Sequence, residues 1–580
     1  MEKKPDMEIL VADTDKAGPP ETVRDDPSGP ESSSETKTVG SSPPKTNKDY
    51  DKNKEKTWDE TSQYLMGPKL AMMVCSMCLA CFLVLLDTMI VSTAIPRITE
   101  DWSSTRSPIL GGTQPLTSLG APQPLSGKIF AHFNNKLSFL AFFLVFELGS
   151  AASSAMLIVG RAVAGVGAAG ILNGALTIIS CSVPLENRPK LIGIVMGFNQ
   201  LGLVAGPLIG GAFTTYSTWR WCFYVNLPIG GVLILALLAF PVPEQSAKPP
   251  AVQVLLKLHK HLDLIGFCRV APAVLQLILA LNFGGVTHPW KSPHVIGLFC
   301  GSAATFVVWF FWNRYKGADA LLPPAMVSCT AVWTSGLFQS FLMSAVYGAI
   351  FFLPIYFQAI NDATPILSGV YFLPTVLSQL FVAATSGAII MAIGYVIPLA
   401  VASTVLLSVA SGLYSILRPN SPTGWWVGFQ LIAGVGSGLG LQLAIISIQT
   451  VVSGKELSSA MAFLVFAQSL GPAIVLTLCQ VIFYSTLRGE LPKRAPGVDR
   501  EAVIAAGATG FRKIVGDGDL AGVLEAYADG IDRVFYLVAA VAAARGLILW
   551  GMGWKDLRKK DARKDGTASA SIEKEGKVVG

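Results

Sequence analysis

Charge is scarce in this chain. Lys, Arg, Asp and Glu make up 14% of its 580 residues against 52% hydrophobic ones. Together with a mean hydropathy of +0.52, this excludes a soluble domain, whose surface must be charged to stay in water. Histidine is scarcer still, at five residues. The stretch His259-Lys260-His261 has no cysteine or carboxylate at ligand spacing, so it reads as a solvated loop and no metal site is expected. No GxxxxGK[ST] sequence occurs, so ATP hydrolysis has no phosphate loop to work with and no cofactor is implied. The net charge of +6 is spread over loops and tails, without the basic stripe and interleaved aromatics that nucleic acid requires. No short apolar core with a small-residue cleavage site precedes Leu70, so the first long apolar helix is expected to act as the targeting signal. The nine cysteines fall in or beside apolar segments, and Cys75, Cys78 and Cys81 read as small hydrophobic packing groups of one helix.

What the chain has instead is a long series of apolar runs. A window of about 19 residues finds roughly fourteen of them spaced like membrane helices. The second falls near 109–130, the third near 137–156, the thirteenth near 457–484 and the last near 534–553. The uncharged span from Ile366 to Leu417 is too long for one crossing and reads as a hairpin turning near Gly394. The expected organisation is a disordered tail over 1–65, too poor in aliphatic residues to offset the entropy of folding, and a six-helix half over 66–245. A linker with two helices follows over 246–318. A second six-helix half over 319–554 includes an extracellular loop at 486–532, and a basic tail ends the chain at 555–580. Lys and Arg near helix ends stay in the cytoplasm. With the N-terminus inside, the inner loops receive Lys128 and Lys136, Arg188 and Lys190, Lys248, Lys257 and Lys260, Arg314 and Lys316, and Lys455. Both termini are therefore expected to be cytoplasmic, in the plasma membrane or, as alternatives, a vacuolar or vesicle membrane.

Within these runs a charge costs at least about 2.5 kcal/mol to insert, so each one is a functional candidate. Four are singled out: Asp87, Glu147, Arg161 and Arg269. Asp87 lies in the middle to outer part of the first helix, where a carboxylate costly to keep charged is what a proton-coupled carrier needs; an interhelical clamp is the structural alternative. Glu147 in the third helix is similar. Arg161 enters the fourth helix and can snorkel or pair with a carboxylate of the first or third helix. Gly202, Gly206 and Gly210, with Gly211, clear side chains from one face of the fifth helix so that another backbone can approach, while Pro207 removes a backbone donor. Gly165-Val166-Gly167-Ala168-Ala169-Gly170 matches G-x-G-x-x-G, but inside a membrane span it describes a close-packed helix face, as do Gly434, Gly436, Gly438 and Gly440.

Four stretches, Asp87 to Pro96, Arg161 to Gly170, Gly202 to Gly211 and Trp219 to Gly230, resemble in order and spacing the signatures of the major facilitator superfamily. The likeness is to its fourteen-span drug:proton antiporter branch, in the form filamentous fungi use as toxin efflux pumps. It extends over about residues 66–555 and includes Leu262-Asp263-Leu264-Ile265-Gly266, Leu353 to Gln358 and Phe463 to Gln468. The resemblance implies an all-α membrane fold of two six-helix halves around a central cavity, with two helices near 263–312 inserted between them. It also implies a transporter and not an enzyme: proton-coupled export of small amphipathic organic molecules by alternating access. Asp87, Glu147 and Arg161 would then couple or gate, Gly202 to Gly211 would slide against the second half, and Gln200, Gln358 and Gln468 would line the cavity. The partners expected are the substrate, protons and the bilayer, with the chain a monomer. A siderophore or nutrient transporter of the same superfamily, or a transport-inactive receptor, is the alternative. The chain departs from the family pattern in Gly127-Lys128-Ile129-Phe130-Ala131-His132-Phe133-Asn134-Asn135-Lys136, where the loop's usual acidic residue is missing. The proline-rich stretch 108–124 is also unlike the family's second helix.

Overall fold

The computed structural model describes residues 64–102, 123–150, 157–184, 186–218, 220–239, 242–244, 262–285, 288–452, 455–554 and 556. Nearly all of both expected tails, and the stretch 103–122, lie outside the described residues. Everything described is helix and connection, with no strand. The first half is built from α1 (Pro68–Trp102), α2 (Gln123–His132), α3 (Asn135–Ser150), α4 (Leu157–Ser182), α5 (Arg188–Tyr216), the short α6 (Trp221–Tyr224) and α7 (Asn226–Ala239). The inserted pair is α8 (Leu264–Phe283) and α9 (Pro293–Lys316). The second half holds α10 (Pro324–Ser328), α11 (Thr330–Ala359), α12 (Pro365–Tyr371), α13 (Leu373–Ile393), α14 (Ile397–Tyr414), α15 (Thr423–Gly440), α16 (Leu443–Val451), α17 (Lys455–Arg494), α18 (Arg500–Gly510) and α19 (Asp517–Ile548).

Among the described residues twelve helical stretches are long and apolar enough to cross a membrane. The two further spans expected from the sequence coincide with α2 and α3, of 10 and 16 residues; the remainder of each lies outside the described residues. The hairpin expected at Gly394 is present: α13 ends at Ile393 and Gly394 turns left-handed at φ 80°, a conformation that needs no Cβ. Most of the segment expected as a loop at 486–532 is helical. α17 continues to Arg494 and α19 begins at Asp517, with α18 between them. Hydropathy fails here because charged residues lower the average along helices that still bury Leu487, Leu491, Val503, Phe511, Val523 and Tyr527, and those charges are paired. Lys493 pairs with Glu490 at 2.8 Å, Arg418 with Asp529 at 3.0 Å and with Asp532 at 2.8 Å, and Arg494 with both Glu525 and Asp529.

The inserted pair is tied down through Asp263, in the left-handed region at φ 43°. Its carboxylate accepts from Gly266 N at 3.1 Å, Trp312 Nε1 at 2.9 Å and Leu321 N at 2.9 Å, joining α8, α9 and the lead into α10. Arg269, one of the four charges picked from the sequence, stacks over the Trp312 ring at 4.2 Å. That contact makes it part of this anchor.

The two halves are sealed at the end where α1 begins, the end at which Leu65 N donates to Ser182 O of α4 at 3.0 Å. There Gln449 of α16 donates to Ser180 of α4 at 2.8 Å. A methyl group added at Gly387 of α13 would lie 2.6 Å from Pro189 O and 2.7 Å from Lys190 Cα of α5. One at Gly127 of α2 would lie 2.6 Å from Ala462 Cβ of α17, and one at Gly193 of α5 would overlap Ala383 O of α13. Halfway along, Leu85, Met89 and Leu203 from the first half pack against Tyr347 and Ile350 of α11.

Candidate functional site

Four helices of the first half meet at one buried polar cluster. α1 brings Asp87 to it because Leu83, Val84, Leu86 and Ile90 bury the rest of that turn, leaving a carboxylate 1% exposed in an apolar interior. α4 supplies Arg161, whose Nη1 lies 2.6 Å from Asp87 Oδ2. α7 supplies Asn226 at its first residue, donating through Nδ2 to Asp87 Oδ1 at 3.1 Å. Ser150, the last residue of α3, donates to the same oxygen at 3.4 Å. The ion pair and the two neutral donors offset the desolvation that would otherwise expel the charge.

Glu147 stands one turn before Ser150 on α3 and is 7% exposed. Neither of its carboxyl oxygens has a hydrogen-bond partner among the described residues. It lies against Gly230, one turn on from Asn226 along α7, where an added methyl would come within 2.8 Å of Glu147 Cδ. So α3 and α7 each touch Asp87 at one turn and hold Glu147 at the next, which sets the two acids about 5–6 Å apart along the bundle.

α3 and α4 come close enough for this because glycine replaces side chains at their contact. A methyl at Gly149 would lie 2.7 Å from Ala164 Cα, and methyls at Gly167 and Gly170 would overlap Phe146 N and Phe142. The G-x-G-x-x-G stretch is therefore a packing face, and the glycines at 434, 436, 438 and 440 pack α15 between α13 and α14 in the same way.

The glycine stretch of α5 is placed differently from the expectation that it faces the second half. Gly202 lies against Leu85 and Leu86 of α1, with an added methyl 2.8 Å from Leu86 N, and a methyl on Gly206 would overlap Met89 Cβ. These are contacts inside the first half. α5 runs helical through Pro207 and the buried Gly210, and Gly211 approaches the second half, with an added methyl 3.3 Å from Ile366 Cγ1. Spacing shows that a face is small without showing which neighbour fills it. The glycines at the tightest contacts between the halves, Gly127 and Gly193 from the first and Gly387 from the second, stand outside the motif that drew attention to α5.

The three candidate cavity residues are not brought together. Gln200 is buried on α5 beside Asn199, whose Oδ1 has no partner among the described residues. Gln358 donates to Ser368 at 2.9 Å, and Gln468 accepts from Gln339 at 3.3 Å, both inside the second half. Sequence reasoning missed Asn226 and Ser150 as partners of Asp87, although both lie within three residues of groups it singled out. At the end of α2, Ala131 stands where the family pattern has its acid. Glu244 accepts there from Asn135 N at 2.8 Å, and Lys136 Nζ donates to Leu238 O at 3.1 Å.

Comparison with known proteins agrees with this architecture. The family model described as Major Facilitator Superfamily matches residues 77–476. The MFS-type transporter pigP of Monascus ruber is 48% identical over 500 residues, covering 85% of this chain and 88% of the relative. The efflux pump mlcE of Penicillium citrinum is 42% identical over 517 residues, covering 87% and 93%. Among solved structures, the human organic anion transporter MFSD10 (TETRAN) superposes with a TM-score of 0.54 at 12% identity, covering 83% of this chain and 100% of that one. The proton:xylose symporter XylE superposes with a TM-score of 0.53 at 13% identity, covering 84% and 98%. These two structures share the fold. A helical bundle in two halves, a charge cluster buried where a soluble protein would have apolar core, and relatives alike along nearly their whole length make this chain a multi-pass membrane transporter of the major facilitator superfamily.

Proposed function

We propose that the chain exports small amphipathic organic molecules, of the kind fungi make as secondary metabolites or meet as drugs, and that proton entry drives the export. The observation that carries this reading is the Asp87–Arg161 pair. A carboxylate and a guanidinium held at 2.6 Å in the interior of one half make a group whose charge state can be changed by one proton, and whose neighbours must then repack. Relatives named as efflux pumps support the direction of transport. Glu147 belongs to the same coupling cluster. Fourteen spans with both termini cytoplasmic, a monomer, and the plasma membrane complete the proposal.

In that orientation the sealed end of the bundle faces the cytoplasm. Alternating access then consists of opening the seam at Gly127, Gly193 and Gly387 while the halves rock about the apolar waist of Leu85, Met89, Leu203, Tyr347 and Ile350. Gln200, Gln358 and Gln468 would meet the substrate only after such a movement.

Deleting the gene and profiling metabolites in cells and medium tests the function. One or more compounds should accumulate inside and be depleted outside; unchanged profiles, with no compound retained under drug challenge, would remove the export reading. Orientation is tested with epitope tags placed at residue 20 and at residue 570. Both should be shielded from external protease in intact cells, and cleavage of either would break the even number of spans.

A further inference from the structure

We propose that Glu147 is a second proton site and that Arg161 is shared between it and Asp87, so that the guanidinium changes carboxylate partner during the cycle. This rests on the coupling reading above and adds to it where the proton is held and what moves.

The argument starts from charge balance. The groups facing the cluster are Asp87 from α1, Glu147 and Ser150 from α3, Arg161 from α4, and Asn226 and Gly230 from α7. Only three of these carry charge. With both acids ionised the cluster would hold a net negative charge in an apolar interior, which costs several kcal/mol. One proton makes it neutral, and the hydrogen bonds say where that proton sits. Asp87 has three donors aimed at it, all consistent with a carboxylate. Glu147 has none among the described residues, and both its oxygens are buried. A bare carboxylate in such a place is far more costly than a neutral acid, so in this conformation Glu147 carries the proton.

The same geometry allows the partner to change. Arg161 stands beside Gly160, and α4 contacts α3 at Gly149, where an added methyl would be 2.7 Å from both Ala164 Cα and Gly160 O. Arg161 Nη1 already lies 2.6 Å from Asp87 Oδ2, and Glu147 stands one helical turn, about 5 Å, from Ser150, which donates to that same carboxylate, within the swing of an arginine side chain. When the guanidinium moves from Asp87 to Glu147, Glu147 gives up its proton and Asp87 takes one up. The cluster keeps one proton and zero net charge in both arrangements. The exchange therefore avoids burying a bare charge.

Infrared spectroscopy of the purified full-length chain in lipid at neutral pH tests this without needing a substrate. The parent should show a protonated-carboxyl band that Glu147→Gln removes. Asp87→Asn should remove it too, because Arg161, left without its partner, turns to Glu147 and ionises it. Asp87→Asn with Arg161→Gln should restore it. A parent with no such band, or a band that survives Glu147→Gln, would overturn the second proton site. A band that survives Asp87→Asn would overturn the sharing of Arg161. Neither result depends on transport, so failure here and failure of export can be told apart.

Discussion

Asp87→Asn should leave the amount of folded protein close to the parental level while efflux falls about tenfold or more, the effect of losing ~1.4 kcal/mol of coupling. The amide still fits between Asn226 and Ser150, which donate to Asp87 Oδ1 at 3.1 and 3.4 Å. Arg161 keeps a carboxylate within reach in Glu147. Removing both acids is different. Asp87→Asn with Glu147→Gln leaves a guanidinium whose side chain is 13% exposed with no counterion in the cluster, and stripping the partner from a buried charge costs about 3–5 kcal/mol. The double variant should therefore lose folded protein, whereas each single variant loses only transport. Quantifying detergent-solubilised monodisperse protein beside efflux, for all three, checks the pattern. Equal loss of folded protein in both single variants would mean that the acids are independent structural clamps.

Bulk added at two kinds of glycine should have opposite consequences. Gly206→Leu forces a branched side chain onto Met89 Cβ and Ile90 N inside the first half. Overpacking of that kind costs about 1–3 kcal/mol and has no alternative arrangement in which to relax, so the amount of folded protein should fall. Because a single methyl already overlaps Met89 Cβ, Gly206→Ala should show the same effect at smaller size. Gly387→Leu acts between the halves, against Pro189 and Lys190, and can relax by opening the seam. The same ~1–3 kcal/mol there shifts the balance of closed and open states by about 5–150-fold and leaves the helices folded. A cysteine placed along the seam should become accessible to a thiol reagent in Gly387→Leu and stay protected in Gly206→Ala. Loss of folded protein in Gly387→Leu without increased accessibility would show that the seam does not open.

The elements and their chemistry were legible to different depths. Asp87, Glu147 and Arg161 stand out because charge inside an apolar run is rare enough to name each one. Their pairing is not legible: Asp87 rather than Glu147 holds Arg161 because Asn226 and Ser150 arrive from two other helices, a relation between spans that no periodicity encodes. The glycine face of α5 is visible as a face, but its neighbour α1 is not. The seam glycines at 127, 193 and 387 occur singly, and their role depends wholly on what the other half presents. The distal ends of α17 and α19 escaped because Arg494, Glu525, Asp529 and Asp532 lower the average hydropathy, although Leu487, Leu491, Val523 and Tyr527 are buried there and the charges pair with one another and with Arg418.

The central claim is that a proton gradient does the work through the Asp87 cluster. The most direct measurement uses vesicles holding the purified full-length chain and the compounds retained by the deletion strain. An imposed pH difference should drive those compounds toward the acidic side, reversing the gradient should reverse the flux, and a protonophore or Asp87→Asn should abolish the response. Flux of the same size with and without the gradient, unchanged in Asp87→Asn, would contradict the account.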